Sequence, residues 1–282
     1  MNLTEEIKEK LKGRKRKLVV ISLGAGVQSS TMALMSGTGE LPKPDCAIFA
    51  DTGYEPKAVY NYLDYLKDIL PYPVYVVSKG NIKDDMLEAK HSNKFVVAPF
   101  FNKHSITNKK GMIRRQCTND YKIQPIRKKI RELCNIGFGK HFPKDQYVEQ
   151  WIGISTDEIM RMKPARDKYI FNRHPLIEAK LSRQDCINWL KKNNFLMPEK
   201  SACICCPYHN DGYWNFMKTE RVQEFADAVE FDKKIRNITR KDDEEIFTHR
   251  SCLPLDQVEF NKKEKSKQID MFNDECEGMC GV

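Results

Sequence analysis

Two groups of residues in this chain have the types and spacing for chemistry. The first is sulfur. Cys203-Ile204-Cys205-Cys206-Pro207 contains a Cys-x-x-Cys turn closed by proline, a spacing that aims two thiols at one centre. Upstream, Cys117 lies among Arg114, Arg115 and Lys122, where fixed positive charge would lower a thiol pKa or balance an anionic group. The second is a phosphate-type loop. Leu18 to Ile21 reads as a short buried strand, Gly24 and Gly26 follow, and Ser22, Gln28, Ser29 and Ser30 surround them where Thr31 to Met35 continues as a helix. A strand, a Gly/Ser bend and a helix N-terminus make an anion site, because unpaired amides and the helix dipole both favour phosphate. The spacing is not G-x-x-x-x-G-K-[ST], and Ser29 stands where G-x-G-x-x-G needs its third glycine.

These residues need elements to hold them. The apolar run Cys46 to Ala50 reads as a second strand ending at Asp51-Thr52-Gly53-Tyr54-Glu55, with a helix from Lys57 to Leu70; Asp51 and Glu55 could hold Mg²⁺ or water near a triphosphate, or Asp51 could cap that helix. Val74 to Val77 predicts a third strand and Asn81 to Lys90 a helix. Phe95 to Met112 reads as a mobile loop over a substrate. Tyr147 to Ile154 predicts another strand, after which Gly153, Asp157, Glu158 and Arg161 are spaced to present carboxylates and a guanidinium at a helix start.

The chain has 282 residues, 40% of them hydrophobic and 31% charged, which describes an ordinary globular protein of one large domain or a core with an appendage. No apolar run approaches the ~20 residues of a membrane span, and the first residues lack the apolar core of a secretory signal, so a cytoplasmic location and no membrane partner are expected. In a reducing cytoplasm ten cysteines point to metal ligation or thiol chemistry rather than disulfides. The formal charge of +9 suggests an anionic partner, which nucleotide phosphates alone could satisfy.

Several ordered segments resemble one family. Ser22 to Ser30 is a stretched variant of the PP-loop S-G-G-x-x-S, and Phe49-Ala50-Asp51-Thr52-Gly53-Tyr54-Glu55 fits F-x-D-T-G-x-E. Arg115, Cys117, Thr118, Lys122 and Pro125 fit R-x-C-T-x-x-x-K-x-x-P. Gly153 to Arg161 is similar to G-x-R-x-D-E-x-x-R with Ser155 in place of the first Arg, and His174 to Glu178 to Y-P-L-I-E. From about Leu18 to Leu255 the chain thus resembles the PAPS reductase-like, PP-loop ATP-pyrophosphatase (adenine nucleotide alpha hydrolase) superfamily, PAPS being phosphoadenosine phosphosulfate. The resemblance implies an α/β fold with a Rossmann-like parallel sheet flanked by helices, and a mainly helical, cysteine-bearing C-terminal region over the carboxyl ends of the strands. The divisions it suggests are a basic leader (1–17), a nucleotide-binding domain (18–180), the cysteine region (181–260) and a flexible tail (261–282).

For function, the resemblance implies an adenine nucleotide, ATP or PAPS, on Ser22 to Ser30, and an iron–sulfur cluster (4Fe-4S) on Cys117, Cys203 and Cys206, with Cys252 as the fourth ligand and Cys205 as its rival. Zinc is the alternative, since Cys203, Cys206, His209, His249 and Cys252 offer nitrogen and sulfur for a tetrahedral site. In the reductase reading Arg114, Arg115 and Lys122 bind the sulfate of a sulfonucleotide, and Cys276 or Cys280, on a tail similar to the family's Glu-Cys-Gly, attacks sulfur to release sulfite with a thiol reductant. In the sulfur-transfer reading ATP and Mg²⁺ adenylate a tRNA or DNA acceptor, and sulfur from a cluster, persulfide or donor protein replaces the adenylate. A non-catalytic nucleotide-binding module with structural zinc is the third reading.

Overall fold

The computed structural model describes residue 9 and residues 11–88, 98–238 and 243–260. A five-stranded parallel sheet forms its centre: β1 (Lys15–Leu23), β2 (Cys46–Asp51), β3 (Val74–Ser78), β6 (Gln146–Ile152) and β7 (Ile170–Arg173), in the order β3-β2-β1-β6-β7. Ile21 sits between Ala47 of β2 and Trp151 of β6. The central strands β1 and β2 are apolar on both faces over their buried stretches, as internal strands of a parallel sheet require. Val19, Ile21 and Leu23 face a core shared with α1 (Val27–Thr38), α2 (Lys57–Ile69) and α6 (Arg183–Lys192). Val20 faces the opposite core, beneath α4 (Gln124–Leu133) and its Ile126 and Ile130. Strand periodicity of two thus builds a helix–sheet–helix sandwich, and the expected α/β class is the observed one.

A second unit packs beside this sandwich around Phe100, Trp214 and Phe231, all fully buried. It contains α3 (Ile82–Glu88), α7 (Asp211–Glu220), α8 (Val222–Ile235) and a small antiparallel sheet in the order β5-β4-β8, from β4 (Phe101–His104), β5 (Lys110–Met112) and β8 (Glu244–Phe247). The segment expected as a mobile loop is therefore partly an antiparallel hairpin, with Phe101 opposite Met112 and Lys103 opposite Lys110. What stabilises it is β8, distant in sequence, which pairs with β4 from Phe101–Phe247 to His104–Glu244. Local pattern does not reveal such a partner. The remaining helix, α5, is the short turn Pro175–Glu178. Among the described residues no helix is long and apolar enough to cross a membrane.

Asp232 closes the second unit from inside. This fully buried carboxylate accepts from Thr248 N at 2.8 Å, Thr248 Oγ1 at 2.9 Å and Leu255 N at 3.2 Å, and pairs with Arg236, which also donates to Ile246 O at 2.8 Å. The desolvation cost of this carboxylate is offset only while all these donors are in place. Asp232→Ala should therefore lower unfolding stability in urea by about 3–5 kcal/mol, whereas an unchanged midpoint would show that the network is dispensable.

Candidate functional site: a switch-point crevice beside a thiol pocket

The chain moves from β1 outward to β2 and β3, then returns to lay β6 on the other side of β1. The loops after β1 and β6 consequently diverge at the carboxyl edge of the sheet, the place where open parallel sheets bind ligands. After β1 the backbone turns through Gly24-Ala25-Gly26 into α1. Ala25 takes a left-handed φ of 56°, uncommon for a residue with a Cβ and the kind of strain that concentrates at ligand sites. Gly26 is the N-cap, and no side chain caps the first turn. Ser29 Oγ instead accepts from Gly24 N at 3.1 Å and contacts Gly26 O at 3.4 Å, so this hydroxyl holds the bend's own backbone in shape.

Residues 21–36, the bend included, are buried. Backbone covers part of it: a Cβ added at Gly153 would lie 2.7 Å from Ser29 N and 2.8 Å from Ser29 Cα. Only glycine lets the turn after β6 approach the start of α1 so closely. Gln28 Nε2 reaches Ser155 Oγ at 3.5 Å across the same junction, while Gln28 Oε1 is buried with no partner there. Ser22 and Ser30 are fully buried beside it. The acidic and basic groups expected here are spread out: Asp157 accepts from Arg183 N at 2.8 Å, at the start of α6, whereas Glu158 and Arg161 pair with each other.

The loop after β2 joins the two units. Gly53 adopts φ 71°, and a Cβ there would lie 2.9 Å from Asn81 Cα, so the position requires glycine twice over. Asp51 Oδ1 accepts from Gly53 N at 2.7 Å and from Tyr60 Oη at 2.8 Å, which fixes the turn. Thr52 Oγ1 lies 3.3 Å from Cys203 Sγ and donates to Glu55 Oε1 at 3.3 Å. Glu55, buried, faces Lys122 Nζ at 3.8 Å. Lys122 is held inward by a π-helical turn, Thr118–Ile123, directly after Cys117. Such turns recur at functional sites.

Cys117, Cys203, Cys205 and Cys206 line one small cavity of about 30 Å³ together with Thr52 and Lys122. The Cys-x-x-Cys turn is closed by Cys206 N donating to Cys203 O at 2.9 Å and is anchored by Ile204 N donating to Tyr54 O at 2.9 Å. Burial pushes the Cys203 thiol well above its ordinary pKa, and Glu55 adds to the rise against the opposing pull of Lys122. Burial likewise raises Cys205, with the nearby Cys117 contributing. These thiols keep their protons until a positive centre compensates them. Four sulfurs around one cavity are a donor set suited to a soft metal centre, although among the described residues no three Cys, His, Asp or Glu side chains are gathered closely enough to hold a metal ion.

The other expected ligands lie elsewhere. Cys252 does not line this cavity; its Sγ contacts Asn102 O and Arg250 O at 4.0 and 3.9 Å, because a left-handed turn (φ 55°) aims it at β4. His209 Nε2 lies 3.0 Å from Cys203 O, beneath the turn rather than in it, and His249 bonds Asp211 and Ser251. Arg114 is exposed, and Arg115 lies 5.4 Å over the Tyr208 ring. Cys276 and Cys280 are outside the described residues. Cys46, Cys134 and Cys186, expected as core residues, are buried, and burial pushes Cys46 and Cys186 up to about 12. Sequence reasoning missed Thr52, itself the threonine of the Asp-Thr-Gly segment, as the link to sulfur, and Tyr208, which follows the Cys-x-x-Cys-Pro turn, as a wall of the cavity. A larger cavity of about 570 Å³ lies along the edge strand β7, lined by Tyr147, Phe171, Arg173 and His174, away from the thiols. Its size alone assigns it no chemistry.

No protein-family model and no curated protein matches this chain. Among solved structures it is similar to the crystal structure of phosphoadenylyl-sulfate (PAPS) reductase from Candida auris in a phosphate complex, over 67% of this chain and 80% of that one, at 12% identity and a TM-score of 0.42. Gly153→Ala puts a methyl against the Ser29 backbone and should force β6 and α1 apart, lowering thermal stability by several degrees. Wild-type stability in this variant would mean that the two loops do not meet as described.

Proposed function

We propose that this chain is a PAPS reductase-like enzyme that binds an adenine nucleotide by its phosphates at the switch-point crevice and performs sulfur chemistry beside the thiol pocket. The observation that carries the reading is the contact of Thr52 Oγ1 with Cys203 Sγ at 3.3 Å. It sets the cysteine turn against the loop of β2, the strand next to the phosphate-type bend of β1. Amides between Gly24 and Ser30, at the N-terminus of α1, would take the phosphates, with Gln28 and Gly153 shaping the wall. Lys122, Arg114 and Arg115 would supply positive charge for a sulfate, and Asp51 and Glu55 would serve Mg²⁺ if ATP is the nucleotide. Cys276 or Cys280 would attack the sulfonucleotide sulfur, breaking the sulfur–oxygen bond to phosphate; the resulting thiosulfonate releases sulfite when a second thiol forms a disulfide with it.

Cys117, Cys203 and Cys206 would hold an iron–sulfur cluster, with Cys205 rather than Cys252 as the fourth sulfur because it lines the same cavity. Such a group would supply the positive, soft centre that lets these buried thiols ionise. Glu55 Oε1, which accepts from Cys203 Sγ at 4.0 Å, would turn to Lys122 Nζ, at 3.8 Å, once that sulfur is ligated.

Full-length protein purified without oxygen, given labelled PAPS and a thiol reductant, should release sulfite. Pyrophosphate formed from ATP only when nucleic acid is added would instead support ATP-dependent sulfur transfer, and nucleotide binding without either product would leave a binding module. Ser29→Ala with Ser30→Ala should weaken nucleotide binding about tenfold or more, since about 1.4 kcal/mol is a factor of ten; equal affinity would remove the phosphate site. Cys203→Ser should cut iron content and the broad visible absorption, and undiminished iron would sink the cluster assignment.

A further inference from the structure

The hairpin β4–β5 carries a charge pattern that folding does not explain. Lys103, Lys109, Lys110, Arg114 and Arg115 fall within this hairpin and its outgoing arm, and no Asp or Glu occurs between Phe101 and Asn119. Lys103 and Lys110 are directly opposed across the two strands, an arrangement that destabilises an antiparallel pair. β8 lays acidic residues along β4, with Glu245 opposite Lys103, Glu244 opposite His104 and Asp243 O accepting from Ser105 N at 2.8 Å; Lys109 and Lys110 lie at the β5 edge, away from that strand, where Lys110 Nζ donates to Ser251 O at 2.7 Å. Residues 105–112 are all exposed, with Asn108 taking the left-handed turn conformation (φ 56°).

Apolar and aromatic groups stand among these cations. Ile106 is 74% and Met112 44% exposed, and Tyr208 Oη reaches Met112 Sδ at 3.9 Å while its ring lies under Arg115. The two feet of the hairpin end at the thiol pocket, since Pro99 before it and Cys117 after it line that cavity, as does Tyr208. An acidic peptide could meet the charges but brings no flat face for Arg115 and Tyr208. A nucleic-acid strand brings both regularly spaced phosphates and stackable bases.

We propose that the β4–β5 hairpin is a nucleic-acid-binding arm whose lysines grip the phosphodiester backbone and whose base, at Arg115 and Tyr208, offers a stacking surface at the rim of the thiol pocket. Phosphate binding by the hairpin lysines is independent of the nucleotide reading; the use of Arg115 and delivery of the strand to the sulfur chemistry rest on that reading.

Fluorescence anisotropy of the full-length protein with a labelled 20-nucleotide single strand of RNA, and of DNA, tests the arm. At 50 mM salt the expected dissociation constant is in the micromolar range, weakening about tenfold or more at 200 mM salt, as a few phosphate contacts require. Lys109→Glu with Lys110→Glu should weaken binding at least tenfold, and the tip variant Lys109→Glu alone should do so in part if the double variant does not fold. Adenine-nucleotide titration of these variants should match wild type, so loss of nucleotide binding in the wild-type chain would overturn the proposed function while leaving the arm intact. The arm is overturned if wild type shows no binding up to about 100 μM at 50 mM salt, if the variants bind as wild type does, or if polyglutamate competes as well as the oligonucleotide.

Discussion

The loop after β2 is the joint on which the site depends. It meets the cysteine turn through Thr52 Oγ1 with Cys203 Sγ, Glu55 Oε1 with Cys203 Sγ at 4.0 Å, and Tyr54 O accepting from Ile204 N. Each is buried or nearly so, where an unpaired polar group costs about 1–3 kcal/mol. The strand end and the cysteine turn therefore support one another. Gly53 makes this possible, because its left-handed turn brings the loop backbone against Asn81 with no room for a side chain. The carboxyl edge of the sheet is thereby fitted with sulfur.

Two opposing tendencies meet there. Burial keeps the Cys203 and Cys205 thiols protonated and poor as nucleophiles, and Glu55 reinforces this for Cys203. Lys122 pulls the other way but is engaged by Glu55 at 3.8 Å, so its charge is partly answered before it reaches sulfur. The balance favours thiols that wait for a compensating centre over thiols that react as they stand.

The sandwich was legible in the sequence because its signals are local. Apolar runs at Leu18 to Ile21 and Cys46 to Ala50, ended by glycine and acidic residues, mark strands and the loops that follow them to within about three residues. Gathering Cys117 with Cys203 and Cys206 came from motif resemblance rather than from spacing. What stayed hidden was long-range. β8 converts an apparent loop at Lys103 to Met112 into a paired hairpin, and the left-handed turn at Cys252 sends that thiol toward β4. The bend after β1 was read as a set of exposed amides, yet Gly153 packs against it; nothing near Gly24 or Gly26 in the sequence announces a partner that far away.

Crystallography of the full chain grown with PAPS or ATP tests the central claim most directly. The account predicts nucleotide phosphate within hydrogen-bond reach of the amides between Gly24 and Ser30, with the Gly153 to Ser155 turn against it. Phosphate seated instead in the larger cavity along β7, with the bend after β1 untouched, would contradict it.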